Sequence, residues 1–531
     1  MSSELPLTVD TGRGFSINYK GQSLYSRYNP SKTPERIALN QELDEDTLYL
    51  LPSPLLMYGV DILLTRLPES SFLLGIECDQ ELMKLSMSSG SLKSHSRFEL
   101  VRLDTREQLK TMIDRLGSWR FRRSKAIFLN SGYNLNKDIY DTLINFAALH
   151  LNTFWKNRLT LNKLGALWIR NIFQNLELVQ SDLPDNSGKM IVVCGAGPSL
   201  DSTINIIREH RNHLYLIAVD TALSTLLDAH IEPDLVFALE AQFYNLGDFH
   251  NTGSSSFELL ADLTSYPAVC RLNNGRVYFT FTDFAETILI NRLKEFGLSL
   301  IEIPPLGSVG VAAVYSALTI FSEPIFLTGL DFSYIPGKSH SKGSPFIKSI
   351  LRSNDRLHPL TNNSGIRRRN IIKLQGKIPE TEITTDSILS GYGRLLSELL
   401  RDSNRVFDLS REGFPLNIPF VDEKELSEII SSQENTGAEI PCKTIHTFDS
   451  RGFLENEQNL LSFVISLWDK FIQSNNSEIP QELMNALVQV DYIYIDFPDK
   501  LPHPVNDLSF VSRAVKKARE YSGLIERILK N

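Results

Sequence analysis

A glycine-rich turn stands where an apolar segment gives way to a helical pattern. The apolar segment Met190–Cys194 is followed by Gly195, Ala196, Gly197, Pro198 and Ser199. Glycines let the backbone approach a ligand closely, serine is a favoured N-cap, and a helix N-terminus offers unpaired N–H groups to an anion. The turn lacks both the Lys-Ser/Thr pair of a P-loop and the third glycine of a dinucleotide fingerprint. It predicts a nucleotide phosphate site, with a tight structural turn as the alternative.

Further polar residues follow other apolar segments of the same region. They are Asp220, Glu240, Gln242, Asp331 and Tyr334. A second glycine-containing turn opens a helix rich in small apolar residues and consists of Gly307, Ser308 and Gly310. Ligands of parallel α/β sheets bind beyond the carboxyl ends of the strands, where these residues are predicted to lie. For Asp220 and Glu240 the alternative is N-capping of the next helix.

His340 lies in a polar loop beyond the predicted strand Ile325–Thr328. A histidine can act as general acid or base near neutral pH, although an isolated loop histidine is often a surface residue. Residues 338–377 around it hold ten Lys and Arg against one acid, Asp355, in a chain whose net charge is −9. The segment is either a solvated hairpin or a lid that attracts an anionic sugar or nucleotide.

Alternating strands and helices must position these residues. Apolar segments that read as buried strands of a mostly parallel sheet are Met190–Cys194, Leu214–Val219, Leu235–Leu239, Ala268–Leu272, Ile325–Thr328 and Arg405–Leu409. They predict an α/β fold with a central doubly wound, Rossmann-like domain over 176–420. An N-terminal α/β accessory domain over 1–175 ends in a long helix, and two amphipathic helices predict a helical domain over 421–531.

In the N-terminal region, Thr47–Leu51 and Ser71–Ile76 read as strands around a helix, and Glu77 follows the second strand. A carboxylate at that position binds ribose in many nucleotide-binding folds. The first loop, however, contains no glycine fingerprint, so a scaffold role is the main interpretation and cofactor binding the alternative.

Composition limits the class of protein. With 531 residues the chain is too long for one core, and 42% hydrophobic residues supply enough material for several. The negative net charge disfavours nucleic acid and anionic membranes as general partners. Four dispersed cysteines fit a reducing compartment, and the N-terminus does not read as a signal peptide, so we expect a cytoplasmic protein without membrane spans.

The chain resembles the motility associated factor (Maf) flagellin glycosyltransferases, which share a domain with 6-hydroxymethylpterin diphosphokinase-like proteins. The motifs that carry the resemblance are Gly195-Ala-Gly-Pro-Ser-Leu-Asp201, Val219-Asp220-Thr-Ala, Gly307-Ser-Val, Thr328-Gly-Leu-Asp-Phe-Ser-Tyr334 and Gly337-Lys-Ser-His340. Tyr25-Ser-Arg-Tyr-Asn-Pro30 also resembles an N-terminal segment of that family, with Asn29 in place of its acid.

The central domain also resembles bacterial sialyltransferases of glycosyltransferase family 42. This resemblance implies that the first glycine turn holds a cytidine nucleotide, that Asp220 lies near the donor, and that Ser308 and Gly310 touch the phosphate. It implies His340 as the general base. Ala196 and Asp220 both stand where the sialyltransferases have asparagine, which leaves the donor geometry open.

The Maf resemblance implies transfer of a nonulosonic acid, pseudaminic or legionaminic acid, from its CMP-activated form to serine or threonine of flagellin. The CMP-sugar is then the donor substrate, no metal or other cofactor is implied, and flagellin is the protein partner. The alternatives are a magnesium-dependent diphosphokinase and a non-catalytic flagellin-binding protein.

Overall fold

The computed structural model describes residues 5–88, 95–180, 183–250, 252, 256–272, 275–282, 284–285, 287–334, 338–356, 370–378, 381–433, 448–474, 478–498 and 504–530. These residues form two compact units, 1–163 and 164–531. The boundary between the units falls inside one long helix.

The first unit begins with a small antiparallel sheet and continues as an α/β unit. Its elements are β1 (Leu7–Asp10), β2 (Phe15–Tyr19), β3 (Gln22–Ser23), α1 (Lys32–Asn40), β4 (Thr47–Pro52), α2 (Val60–Arg66), β5 (Phe72–Glu77), α3 (Gln80–Ser88), β6 (Phe98–Arg102), α4 (Arg106–Leu116), β7 (Arg123–Ala126) and the boundary helix α5 (Lys137–Asn175). Strands β2 and β3 form an antiparallel hairpin.

The parallel sheet of the first unit has the order β6-β5-β4-β7. Alternate residues of β4 enter different cores, because successive side chains of a strand point to opposite faces. Leu48 and Leu50 pack with α4 and α5, whereas Tyr49 and Leu51 pack with α1 and α2. Helices therefore cover both faces of this sheet.

The second unit carries the larger sheet and all later helices. Its elements are β8 (Met190–Cys194), α6 (Leu200–Glu209), β9 (Leu214–Val219), α7 (Asp220–Asp228), β10 (Leu235–Ala238), β11 (Glu258–Asp262), α8 (Pro267–Leu272), β12 (Val277–Thr282), α9 (Ile288–Glu295), β13 (Ile301–Ile303), α10 (Val309–Ile320), β14 (Ile325–Thr328), α11 (Pro345–Arg352), β15 (Ile371–Gln375), β16 (Glu382–Asp386), α12 (Ser387–Leu399), β17 (Val406–Asp408), α13 (Glu423–Gln433), α14 (Ser450–Gln473), α15 (Gln481–Gln489) and α16 (Leu508–Lys530).

Eight strands form one parallel sheet in the order β13-β12-β11-β10-β9-β8-β14-β17. Every residue of β8, β9 and β14 is buried, as expected for strands covered on both faces. The chain order reverses between β8 and β14, which makes the sheet doubly wound. The fold is thus α/β with a large parallel sheet and a helical C-terminal region, as the sequence predicted.

One strand prediction was wrong. Residues 268–272 belong to helix α8, which starts at Pro267. Proline fixes φ near its helical value and lacks an N–H that the first turn would leave unpaired, so it suits the start of a helix. The sheet is instead continued by β11, β12 and β13, which were not predicted.

The two amphipathic stripes of the C-terminal region are confirmed as α14 and α16, which pack against each other. A buried ion pair joins this region to the sheet domain: Arg292 on α9 donates to Glu457 on α14, with nitrogen–oxygen distances of 2.6 and 2.8 Å. The Tyr492 hydroxyl donates to the same carboxylate at 2.9 Å. None of the described helices is long and apolar enough to cross a membrane.

Candidate functional site

The carboxyl edge of the large sheet collects the residues that the sequence singled out. The first glycine turn follows β8, Asp220 opens α7 after β9, and Glu240 and Gln242 follow β10. The second glycine turn opens α10, and Asp331, Tyr334 and His340 follow β14. Because β8 and β14 are neighbours at which the chain order reverses, this edge is where an α/β sheet forms its ligand crevice.

The first glycine turn interlocks with the loop after β14. Gly195 N–H donates to the Thr328 carbonyl and Gly197 N–H to the Gly329 carbonyl, both at 2.8 Å. Gly329 has a φ of +67°, and a Cβ on it would lie 2.1 Å from the carbonyl oxygen of Gly195. These glycines are therefore required for the close contact of two loops.

The N-terminus of α6 already holds a carboxylate of the protein. Ser199 N–H donates to Asp331 Oδ2 at 2.9 Å, and Gly329 N–H donates to Ser199 Oγ at 3.1 Å. Burial raises the pKa of Asp331, and its hydrogen bonds with Ser199 oppose that rise. Ser199 is the N-cap residue of α6, as predicted, but its hydroxyl makes no capping bond, because it accepts the Gly329 N–H of the β14 loop instead. Asp331 occupies the position expected for an anionic ligand.

The start of α10 is arranged differently. Ser308 precedes the helix in extended backbone geometry, and its side chain does not cap the helix. A Cβ on Gly310 would lie 2.5 Å from Leu330, and one on Gly307 would lie 3.2 Å from the ring of Tyr392. A helix N-terminus without a side-chain cap attracts anions. Of the two glycine turns, the second is better suited to a phosphate.

Asp220 is a buried carboxyl group at the same edge. It is 3% exposed and accepts hydrogen bonds from Thr221 N–H and from the Asn245 amide, each at 2.7 Å. Burial, followed by the charge of Asp248, raises the pKa of Asp220 to about 7. Asn245 also donates to Asp248 at 3.2 Å. Asp220 can therefore exchange a proton near neutral pH.

Glu240 and Gln242 shape the loop beside Asp220. Glu240 is exposed, and its carboxylate accepts the Gln242 N–H at 3.0 Å. Two exposed aromatic residues follow, Phe243 and Tyr244, with ring centroids 4.2 Å apart. The charge of Glu240 contributes to the raised pKa of Asp220. Among the described residues, no group of three or more His, Cys, Asp or Glu side chains has a metal-binding arrangement.

His340 sits in a loop that is anchored to the first glycine turn. Its Nδ1 lies 3.0 Å from Ser339 Oγ, and its ring lies 5.0 Å from that of Phe346. The next residue, Ser341, is buried; its N–H donates to the Ala196 carbonyl at 2.8 Å, and its hydroxyl pairs with Thr225 on α7 at 2.7 Å. The structure thus brings His340 next to the turn, whereas Gly337 lies outside the described residues.

Tyr334 is committed to the fold. Its hydroxyl donates to Asp386 at 2.6 Å, and its N–H donates to the Thr384 carbonyl at 2.7 Å. The Asp386 carboxylate in turn accepts the N–H groups of Ile388 and Leu389 and so caps α12. Tyr334 fixes the hairpin β15–β16 beside the crevice, so its hydroxyl is already used within the protein.

Several of the positive charges in the basic segment 338–377 form ion pairs with nearby carboxylates. Four of its lysines pair with carboxylates outside the segment: Lys338 with Asp201, Lys348 with Asp228, Lys373 with Glu382 and Lys377 with Asp408. Arg367, Arg368 and Arg369 lie outside the described residues. The described part of the segment is therefore held against the rest of the second unit by ion pairs, and most of its lysines are not free to attract a ligand.

Comparisons with known proteins agree with this architecture. The fold is similar to that of a MAf glycosyltransferase from Magnetospirillum magneticum AMB-1, with a TM-score of 0.59, 14% identity, and coverage of 99% of this chain and 90% of that one. A protein-family model described as 6-hydroxymethylpterin diphosphokinase MptE-like matches residues 167–337. The motifs predicted both similarities, and the resemblance to the sialyltransferases stays a prediction.

Two uncharacterized proteins of Treponema pallidum (strain Nichols) are related in sequence. One is 29% identical over 98% of this chain and 95% of its own length. The other is 34% identical over 15% of this chain and 40% of its own length. The first therefore aligns with this chain along nearly the whole length of both proteins.

Sequence reasoning missed several residues that complete the site. Asn245 and Asp248 surround Asp220, and Tyr392 lies against the second glycine turn. Asn245 could have been predicted from the sequence, because it closely follows a buried strand that ends at the crevice. Tyr392 could not, since it reaches Gly307 from a helix 85 residues later.

Proposed function

We propose that the chain transfers a nonulosonic acid, pseudaminic or legionaminic acid, from its CMP-activated form to serine or threonine hydroxyls of flagellin. The observation that carries this proposal is the extent of the fold similarity to a Maf glycosyltransferase, which covers 99% of the chain. The diphosphokinase-like model accounts for residues 167–337 alone. We infer from the cysteine usage that the reaction takes place in the cytoplasm.

The donor phosphate is proposed to bind at the start of α10, near Ser308 and Gly310. The N–H groups of Gly195, Gly197 and Ser199 already donate to groups of the protein, so they would not also bind a phosphate. The α10 N-terminus carries no side-chain cap and offers its dipole to the departing CMP.

In the proposed step, the acceptor oxygen forms a bond to the anomeric carbon of the sugar. The bond from that carbon to the phosphate oxygen breaks with its electron pair, and CMP departs. The proton of the acceptor hydroxyl passes to His340, whose ring is oriented by Ser339 and Phe346. Asp220 is the competing base, because its pKa of about 7 also suits this role.

The test measures sugar transfer and donor binding separately. His340→Ala should abolish transfer, seen as the intact mass of flagellin, while CMP still raises the melting temperature. His213→Ala is the matched control, because His213 precedes β9 and thus lies at the opposite edge of the sheet. Full transfer by His340→Ala together with loss in Asp220→Asn would assign the base to Asp220. Full transfer by both variants would refute both assignments.

A diphosphokinase is the second candidate, because the MptE-like model spans the strands from β8 to β14 and the acidic residues Asp220 and Asp248. Such an enzyme needs magnesium and ATP. A magnesium-dependent rise of the melting temperature with ATP, without any rise with CMP, would favour it over the transferase. Flagellin that binds but gains no mass with either CMP-sugar would favour the non-catalytic alternative.

A further inference from the structure

The first unit contains its own reversal of strand order. Its parallel sheet has the order β6-β5-β4-β7, so β4, the first of these four strands along the chain, lies beside β7, the last. The helices that follow these two neighbours pack on opposite faces, α2 with the core of Tyr49 and α5 with the core of Leu50. Diverging connections leave a crevice at the carboxyl ends of such a strand pair, where α/β sheets bind ligands.

A cavity of about 340 Å³ lies at this place. Three segments line it: the loop after β7, the start of α1 and the segment after β3. Its lining residues are Leu24, Tyr25, Ser26, Pro30, Thr33, Pro34, Ile37, Phe128, Leu129, Asn130, Ser131 and Asn134. The segment Tyr25–Pro30, which carries the N-terminal sequence resemblance, therefore forms one wall. The volume suits one small ring-shaped ligand.

The wall is held rigidly by a strained loop after β4. Ser53, Leu55 and Met57 all have positive φ angles, of 49°, 50° and 61°. Such conformations cost free energy and persist only where neighbouring contacts impose them, often at ligand sites. Asn130 and Tyr25 impose them here. The Asn130 amide donates to the Ser53 carbonyl at 2.8 Å, and the Tyr25 hydroxyl donates to the Pro54 carbonyl at 3.2 Å.

The chemistry of the lining selects the ligand class. None of the described lining residues carries a charge, so a phosphate or carboxylate would find no counter-ion. The lining combines residues with hydroxyl or amide side chains, such as Ser26, Thr33 and Asn134, with apolar residues that include Phe128. The Phe128 ring is 41% exposed and is steadied by Tyr133, with centroids 4.6 Å apart. An exposed ring beside neutral donors and acceptors matches the C–H face and the hydroxyl groups of a sugar.

We propose that this cavity is a binding site for a neutral sugar residue, separate from the candidate site of the second unit. It is not a nucleotide site of the predicted kind. Glu77, the acid that would hold a ribose, is completely buried and accepts hydrogen bonds from Ser53 and Tyr140 at 2.8 and 2.9 Å. The proposal does not depend on the transferase activity, because binding can be measured without any donor.

Saturation-transfer NMR on the full chain tests the proposal. The probes are N-acetylglucosamine, galactose and rhamnose at about 10 mM, each alone, with N-acetylneuraminic acid as an anionic probe. At least one neutral sugar should give a signal, with a dissociation constant in the millimolar range that is usual for weak single-ring ligands. Phe128→Ala should weaken this binding at least about tenfold, because it removes the stacking face.

Two further variants keep the outcome clear. Asn134→Ala removes an exposed amide from the lining and should weaken binding a few-fold, so the test survives if Phe128→Ala does not fold. Phe463→Ala removes an aromatic ring of similar exposure, 48%, on α14 and should leave binding unchanged. The proposal would be overturned if none of the three neutral sugars gave a signal or if only the anionic probe did. It would also be overturned if Phe128→Ala and Asn134→Ala both bound the sugar as tightly as the wild-type protein.

Discussion

Replacing Asp220 by asparagine tests whether the pKa of this buried carboxyl group is raised in the folded protein. The wild-type carboxyl group is 3% exposed, and burial and the charge of Asp248 raise its pKa from 3.8 to about 7. Asparagine keeps the shape but cannot ionise. One of its two terminal atoms becomes a donor, so either Thr221 N–H or the Asn245 amide loses an acceptor, at a cost of about 1–3 kcal/mol at every pH.

The pH-dependent part of the effect follows from the raised pKa. The folded protein keeps the Asp220 proton to higher pH than the unfolded chain does, so the neutral carboxyl group favours folding at acid pH. This contribution is complete below about pH 4 and is lost as the pH rises through about 7. A difference of about three pKa units corresponds to about 4 kcal/mol, of which about 3 kcal/mol falls between about pH 5 and about pH 9.

As the pH rises from about 5 to about 9, the wild-type protein should therefore lose about 3 kcal/mol of unfolding free energy that Asp220→Asn does not lose. Urea unfolding, followed by tryptophan fluorescence and by circular dichroism, measures it for both proteins. Asp228→Asn is the control: Asp228 is 52% exposed and pairs with Lys348, so its loss should cost less than about 1 kcal/mol. A wild-type to Asp220→Asn difference that stays constant from about pH 5 to about pH 9 would refute the reasoning.

Three other substitutions probe contacts that hold the second unit together. Glu457→Ala should destabilise it by about 3–5 kcal/mol in urea unfolding, because the buried guanidinium of Arg292 loses its carboxylate partner; a cost below about 1 kcal/mol would contradict this. Gly329→Ala should cost about 3 kcal/mol or prevent folding, because the new Cβ would clash with the Gly195 carbonyl oxygen. Gly188 also has a positive φ but open space around it, so Gly188→Ala should cost about 1 kcal/mol. Equal melting temperatures of the two variants would refute the clash. Asn171→Ala removes two hydrogen bonds to buried carbonyl groups and should lower stability by about 2 kcal/mol, which thermal unfolding would show.

Three of the strands that were predicted correctly share one physical property. β8, β9 and β14 are almost entirely apolar, because both of their faces are buried, and such segments stand out in a sequence. β11 begins and ends with an acidic residue, Glu258 and Asp262, and this pattern resembles a loop. The buried Asp262 is tolerated because Thr264 and Thr282 donate hydrogen bonds to it, and tertiary pairing of this kind leaves no local signal.

The glycine turn shows where reasoning from the sequence stops. The same Gly195 and Gly197 are expected for a turn that holds a phosphate and for a turn that holds a second loop. What distinguishes them is the partner: Gly329 and Asp331 approach from more than 130 residues away along the chain. Contacts over such a separation arise from the strand order, which composition and spacing along the chain do not encode.

The same reasoning changes the electrostatic account of the proposed donor site. From the sequence, the basic segment 338–377 was either a solvated hairpin or a lid that attracts an anionic sugar or nucleotide. In the structure, Lys338 and Lys348 pair with carboxylates on α6 and α7, and Lys377 pairs with Asp408. The α10 N-terminus, which has no side-chain cap, is a further source of positive potential at the crevice. A helix dipole acts at short range, whereas many lysines release counter-ions, so donor binding that depends on α10 should weaken only slightly with added salt.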